Sequence, residues 1–162
     1  MTRRVAVALA FVALLALGTA AAVPTQRVLV VEDAENGEPY LTAPVENGTT
    51  VALEYTHSVE KTRVYDGYTV RGDRLVMTRM EFESYGWGLP SGANVTRENG
   101  TLVYDPPGAY TRFTVAPGAV AGHRLHVGDR TYDLVALSDE RSVTLHLTRR
   151  SALAAATDSL DT

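Results

Sequence analysis

The chain has 162 residues, a formal charge of −4 and no cysteine. That length holds one domain with a modest core, and the lack of thiols excludes a disulfide framework, so packing and hydrogen-bonded sheet must supply the stability. Lys61 is the single lysine and no run of positive charge occurs, which excludes a nucleic-acid-binding surface. Excess acid with little lysine suits a salt-rich environment and a haloarchaeal source.

Residues 1–24 carry a leader. Arg3 and Arg4 precede the uncharged apolar run Val5–Val23, and Pro24 ends it. The pattern is that of a signal peptide, with small residues Gly18, Thr19, Ala20, Ala21 and Ala22 where a signal peptidase cuts. Left uncleaved, residues 5–23 form an anchor helix close to the roughly 20 residues that span a bilayer. Either reading places the remainder outside the cytoplasm, secreted or held at the outer face of the cytoplasmic membrane.

From residue 25 to 150 turn signals recur at short intervals: Asn36-Gly37, Asn47-Gly48, Gly72-Asp73, Asn99-Gly100, Pro106-Pro107-Gly108, Pro117-Gly118 and Gly128-Asp129. Between them lie short runs rich in Val, Thr, Tyr and Leu, which predict strands over 26–32, 39–44, 49–58, 63–71, 74–84, 101–104, 109–115, 123–127, 130–137 and 142–149. The fold class is all-β: one antiparallel domain of hairpin-connected strands, closed as a barrel or packed as a sandwich. Residues 151–162 read as a flexible tail, whose helical stretch "SALAAATDSL" is too short to stand alone.

Alternation assigns the faces. In "TVALEYTHSV", Val51, Leu53, Tyr55, His57 and Val59 share one face, and Ala52, Glu54, Thr56 and Ser58 the other. Leu125 and Val127 point inward with His126 outward; Val143, Leu145 and Leu147 point inward with His146 outward. His123, His126 and His146 are read as surface residues. Three sequons, at Asn47, Asn94 and Asn99, are candidate glycosylation sites, although Asn-Gly at 47 and 99 is also hairpin-turn chemistry.

Two stretches carry candidate chemistry. In "YTHSVEKTRVYDGY" the His57 and Glu60 spacing would serve a metal only if the strand ended or bulged at Ser58, and no metal or cofactor is assigned. In "FESYGWGLP" Gly86 and Gly88 bracket the one tryptophan, Trp87, an arrangement that lets backbone approach a ligand beneath an aromatic cover or plugs the end of a core. A Ser84 nucleophile served by His57, with Glu81 or Glu83 as orienter, is the hydrolase alternative.

Together, and in this order and spacing, these two stretches resemble the signature of an exported family catalogued as domain of unknown function 1850. Tyr55, His57, Ser58, Glu60, Tyr65, Ser84, Gly86, Gly88, Leu89 and Pro90 fall on its motif positions, while Trp87 stands where a small residue is usual. The resemblance implies a single β-rich extracytoplasmic domain encoded beside TAXI-type TRAP transporters, which import small organic acids. The site expected from both lines is a polar mouth formed by Tyr55, His57, Ser58, Glu60, Tyr65, Ser84, Tyr85, Gly86, Trp87 and Gly88. Its expected role is non-enzymatic: to bind a transporter subunit or its solute. A hydrolase and a purely structural envelope domain are the alternatives.

Overall fold

A computed structural model describes residues 24–84 and 94–151. The leader, residues 85–93 and the tail from residue 152 lie outside the described residues, and with them the expected positions of Tyr85, Gly86, Trp87, Gly88, Leu89 and Pro90. The chain divides into a body, Val28–Thr148, and a second unit made of Met1–Arg27 and Arg149–Thr162, of which residues 24–27 and 149–151 are described as strand. Among the described residues no helix is long and apolar enough to cross a membrane.

The fold is antiparallel and all-β, as the sequence predicts. Strands β1 (Pro24–Asp33), β2 (Pro39–Pro44), β9 (Arg112–Val115) and β12 (Val143–Ser151) form a four-stranded sheet in the order β2-β1-β12-β9. The larger sheet contains β3 (Thr50–Thr56), β4 (Arg63–Arg71), β5 (Arg74–Phe82), β6 (Thr96–Glu98), β7 (Thr101–Tyr104), β10 (Arg124–Val127) and β11 (Arg130–Asp133). Its order is β11-β10-β3-β4-β5-β7-β6, and β8 (Ala109–Tyr110) pairs with β5.

Among the described residues neither sheet closes on itself, and one buried cluster draws on both. Leu29, Val31 and Ala43 from the small sheet's first two strands meet Val51, Leu53, Tyr68, Val70, Leu75, Leu125 and Val127 of the large sheet, with Val143 and Leu145 of β12. Alternation in β3, β10 and β12 thus places its apolar residues as expected. A second, smaller cluster of Val64, Phe82 and Leu102 lies toward one end of the large sheet.

Four expectations need correction. The expected strand 49–58 ends at Thr56, so the alternation does not carry past it; Val59, expected inward, is 64% exposed. The run 109–115 is two strands, because the chain leaves β5 after Tyr110 and joins β12 from Arg112. Tyr110 and Phe113 still meet, each packing against Tyr68.

The run 130–137 stops being a strand at Asp133, whose carboxylate accepts from the Ala136 N–H and caps a five-residue helix, α1 (Leu134–Ser138). Leu134 stays fully buried in both readings, which is why its apolar pattern could not separate them. Finally, His123, expected at the surface, is only partly exposed: its ring stacks on Tyr55 with centroids 5.0 Å apart.

Candidate functional site

The expected mouth lies where β3, β4 and β5 meet at one end of the large sheet. Antiparallel pairing of Thr56 with Arg63 and of Val64 with Phe82 brings the end of β3 and the end of β5 to the same side of the sheet. The intervening turn is closed by the His57 N–H donating to the Thr62 carbonyl at 2.8 Å and the Lys61 N–H to the His57 carbonyl at 2.9 Å. Lys61 takes a left-handed φ of 55° to make it.

His57 caps this turn from within. Its Nδ1 accepts the N–H groups of Val59 at 3.3 Å and Glu60 at 3.2 Å, a role open only to an unprotonated ring nitrogen. His57 and Glu60 are therefore joined through ring and backbone. Glu60 reaches instead toward Ser84, whose hydroxyl donates to Oε2 at 3.3 Å and lies 3.4 Å from the Thr62 hydroxyl. Ser58 is exposed at the tip of the turn. The structure brings together His57, Glu60, Thr62 and Ser84; Thr62 is the member the sequence did not single out.

It separates the two tyrosines. Tyr65 lies on the outer face of the large sheet, across from Glu54 and Glu81, with its ring edge against Gly67 and the Arg63 guanidinium 5.1 Å from its centroid. A methyl group at Gly67 would come 3.1 Å from the Tyr65 ring. Around Tyr65 runs a ladder of ion pairs: Glu54 to Arg63, Arg63 to Glu81, Glu81 to Arg79 and Arg79 to Glu98, all between 2.6 and 3.0 Å. These partners hold the Glu81 carboxyl below its usual range against the opposing effect of burial. Glu81 is thus engaged by two arginines and does not orient His57, and Glu83 is exposed.

Tyr55 points to the inner face and leads to a residue that the sequence reading passed over. Asp66 sits directly across the sheet from Leu53 and Met80, in a row that Leu125 and Tyr104 extend. It is a carboxylate on the apolar face. Its Oδ1 is fully enclosed and has no hydrogen-bond partner among the described residues. Burial raises its pKa from 3.8 to about 6, and the hydrogen bond from Tyr55 pulls only partly the other way.

The Tyr55 and Tyr68 phenols are both pushed well above their ordinary range, by burial first and then by the charge of Asp66. Behind Tyr55, His123 accepts from the Gly118 N–H at 3.3 Å, and burial lowers its pKa. The signal was present in the sequence. Val64, Asp66, Tyr68 and Val70 alternate on one face, and an acid in that series marks a strained position.

The sequon asparagines are all exposed. Asn47 accepts from the Gly72 N–H at 2.9 Å, and Asn99 takes a left-handed φ of 50° before Gly100 in the β6–β7 hairpin, so both make the turns their Asn-Gly dipeptides predict. Asn94 lines a groove of about 570 Å³ with Arg79, Thr96, Glu98, Tyr104 and Asp105.

A protein-family model described as "Domain of unknown function (DUF1850)" matches residues 51–134. The chain belongs to this family. No curated protein and no solved structure matches it. The DUF1850 match begins in β3 and ends at the first residue of α1, so it takes in the large sheet, the 57–62 turn, Ser84 and Asp66, and leaves β1, β2 and β12 outside.

Proposed function

We propose that this DUF1850 protein is an extracytoplasmic, non-enzymatic accessory module that assists a TAXI-type TRAP uptake system by binding a transporter component or a small organic acid. The leader over residues 1–24 supports the location, and the motif resemblance supports the transporter neighbourhood. The observation that carries the non-enzymatic reading is the commitment of the two groups a hydrolase would need. His57 Nδ1 is occupied by two backbone donors, and Ser84 donates to Glu60. A serine nucleophile has its hydroxyl bonded to a base that takes the proton, and here the acceptor is an exposed glutamate within a turn-locking cluster.

The test is to tag the full-length chain in its native host and place a photo-crosslinker at Ser58, on the exposed tip of the turn. A crosslink to a TRAP-system subunit, or a thermal shift of the purified chain with small carboxylates, is the expected result. Hydrolysis of an activated ester that disappears in Ser84→Ala would overturn the non-enzymatic reading. A chain that neither crosslinks to a transporter subunit nor shifts with any carboxylate would overturn the accessory role.

A further inference from the structure

Beside the expected mouth, between the end of β3 and the 118–122 turn, lies a hollow of about 290 Å³, lined by Glu54, Tyr55, Thr56, Arg63, Val120, Ala121, Gly122 and Arg124. Its size sits at the small end of ligand pockets. The walls follow from the register. Glu54 and Thr56 occupy the same face of β3, Arg63 lies directly across from Thr56, and Arg124 directly across from Glu54. The remaining wall is the turn at 118–122, pinned to the end of β3 by the Thr56 N–H donating to the Ala121 carbonyl at 2.8 Å.

The two guanidinium groups differ in what they have left to give. Arg63 is engaged by Glu54 and Glu81. Arg124 is exposed and makes no hydrogen bond or ion pair among the described residues, although Glu54 is its cross-strand neighbour. Glu54 has turned toward Arg63, whose Nε and terminal nitrogen both address Oε2, and Oε1 has no partner among the described residues. The Thr56 hydroxyl is likewise uncommitted. The hollow therefore offers one unspent cation, one hydroxyl and one carboxylate oxygen. Beside them stands an apolar wall of Ala121 and Val120, and the latter is 78% exposed.

We infer that this hollow is a binding site for a small monocarboxylate that sits with its carboxylate on Arg124 and Thr56 and whose hydroxyl or amino group donates to Glu54 Oε1. A guanidinium binds a carboxylate through paired, charge-assisted bonds, and a short aliphatic chain would rest on Val120 and Ala121. A second carboxylate on the ligand would face Glu54 and be repelled, which selects monocarboxylates carrying a neutral or cationic donor. The inference rests on the small-acid arm of the proposed function and gives it a place and a chemical class.

The test is calorimetric titration of the full-length chain with lactate and with serine, set against methyl lactate and succinate. Saturable binding of lactate or serine is expected, weakened about tenfold or more by Arg124→Gln and by the near-isosteric Thr56→Val. Arg74→Gln, an exposed arginine outside the hollow, is expected to leave it unchanged. Because Arg124 has no partner among the described residues, its variant is expected to keep the wild-type melting temperature.

Absence of saturable binding by either acid overturns the inference, as does equal binding of the ester, or equal weakening by Arg74→Gln. The crosslink from Ser58 to a transporter subunit reports separately on the accessory role. If it persists in Arg124→Gln while acid binding is absent from the wild type, the site fails and the role stands.

Discussion

Two aspartates on opposite sheets, Asp33 buried and Asp66 half-buried with one oxygen enclosed, show two ways of holding carboxylate oxygens out of water. Asp33, at the end of β1, is 1% exposed and fully supplied: Oδ1 accepts the N–H groups of Glu35 at 2.7 Å and Asn36 at 3.2 Å, and Oδ2 takes the Tyr40 hydroxyl at 2.7 Å and an ion pair from Arg141. Asp66, in the middle of β4, has the Tyr55 phenol and one enclosed oxygen with no donor among the described residues. The first is a structural knot that ties the β1–β2 turn to the segment after α1. The second is a charge kept on an apolar face at a cost to stability, the condition in which polar groups are found where function retains them. The two also differ in place, for Asp66 lies inside the DUF1850 match and Asp33 outside it.

The largest way to break the comparison is Asp33→Ala. It strands two backbone donors, a phenol and a guanidinium at once, and removing one partner of such a buried network costs about 3–5 kcal/mol. Urea unfolding of the full-length chain measures it, and a loss below about 1 kcal/mol would mean that water replaces the carboxylate freely.

Asp66→Asn is expected to act in the opposite direction. A pKa raised from 3.8 to about 6 means that the folded state holds its proton more tightly than the unfolded chain. The stabilisation is complete below pH 3.8, declines as the unfolded state ionises, and is gone above about pH 6. The shift corresponds to roughly 3 kcal/mol. The amide cannot ionise, so at pH 8 the variant is expected to be more stable than the native chain by up to about 3 kcal/mol, with the gap closing toward pH 4. Stability measured across that window decides. A variant that unfolds more easily at pH 8 would show that the charge is stabilised by more than Tyr55.

Smaller again is His57, which resembles Asp33 in being an acceptor with its donors in place. His57→Ala frees the Val59 and Glu60 N–H groups at the surface, where water can replace the ring, so the expected loss is about 1 kcal/mol, of the order of a lost helix cap. Asn, a short acceptor that serves in such turns, is expected to recover part of it. Equal losses in Ala and Asn would assign the effect to packing and not to capping.

How much of this was legible beforehand follows from what each residue depends on. Strand positions in β2, β4 and β7 follow from local alternation and turn dipeptides, and the structure reproduces their bounds. β6 was invisible because Thr96-Arg97-Glu98 has no apolar face; it is fully exposed and exists through its pairing with β7. The end of β3 was misjudged because Val59 continues the alternation in sequence, while the His57 cap and the left-handed Lys61 break it in space. At the candidate site, the convergence of the β3 and β5 ends followed from three hairpin-connected strands. The divergence of Tyr55 and Tyr65 followed from parity, which was readable but went unused. Arg124 was not legible at all, since its place in a hollow depends on the 118–122 turn, which a propensity reading assigns no position in space.

Tyr55→Phe sharpens the comparison by taking from Asp66 the one donor it has among the described residues. The phenol stabilises the ionised form, so its removal is expected to raise the Asp66 pKa further above 6, whereas Tyr40→Phe at Asp33 leaves three donors in place. The change in global stability is about 1 kcal/mol at neutral pH, the worth of one hydrogen bond. The sharper reading comes from carbon NMR of the aspartate carboxyls through a pH titration. If the Asp66 midpoint moves up in Tyr55→Phe and stays in a control such as Tyr132→Phe, the phenol is the group that keeps this carboxylate titratable near neutrality. An unmoved midpoint would mean that burial alone sets it, and that Tyr55 is held in place by its stack on His123 instead.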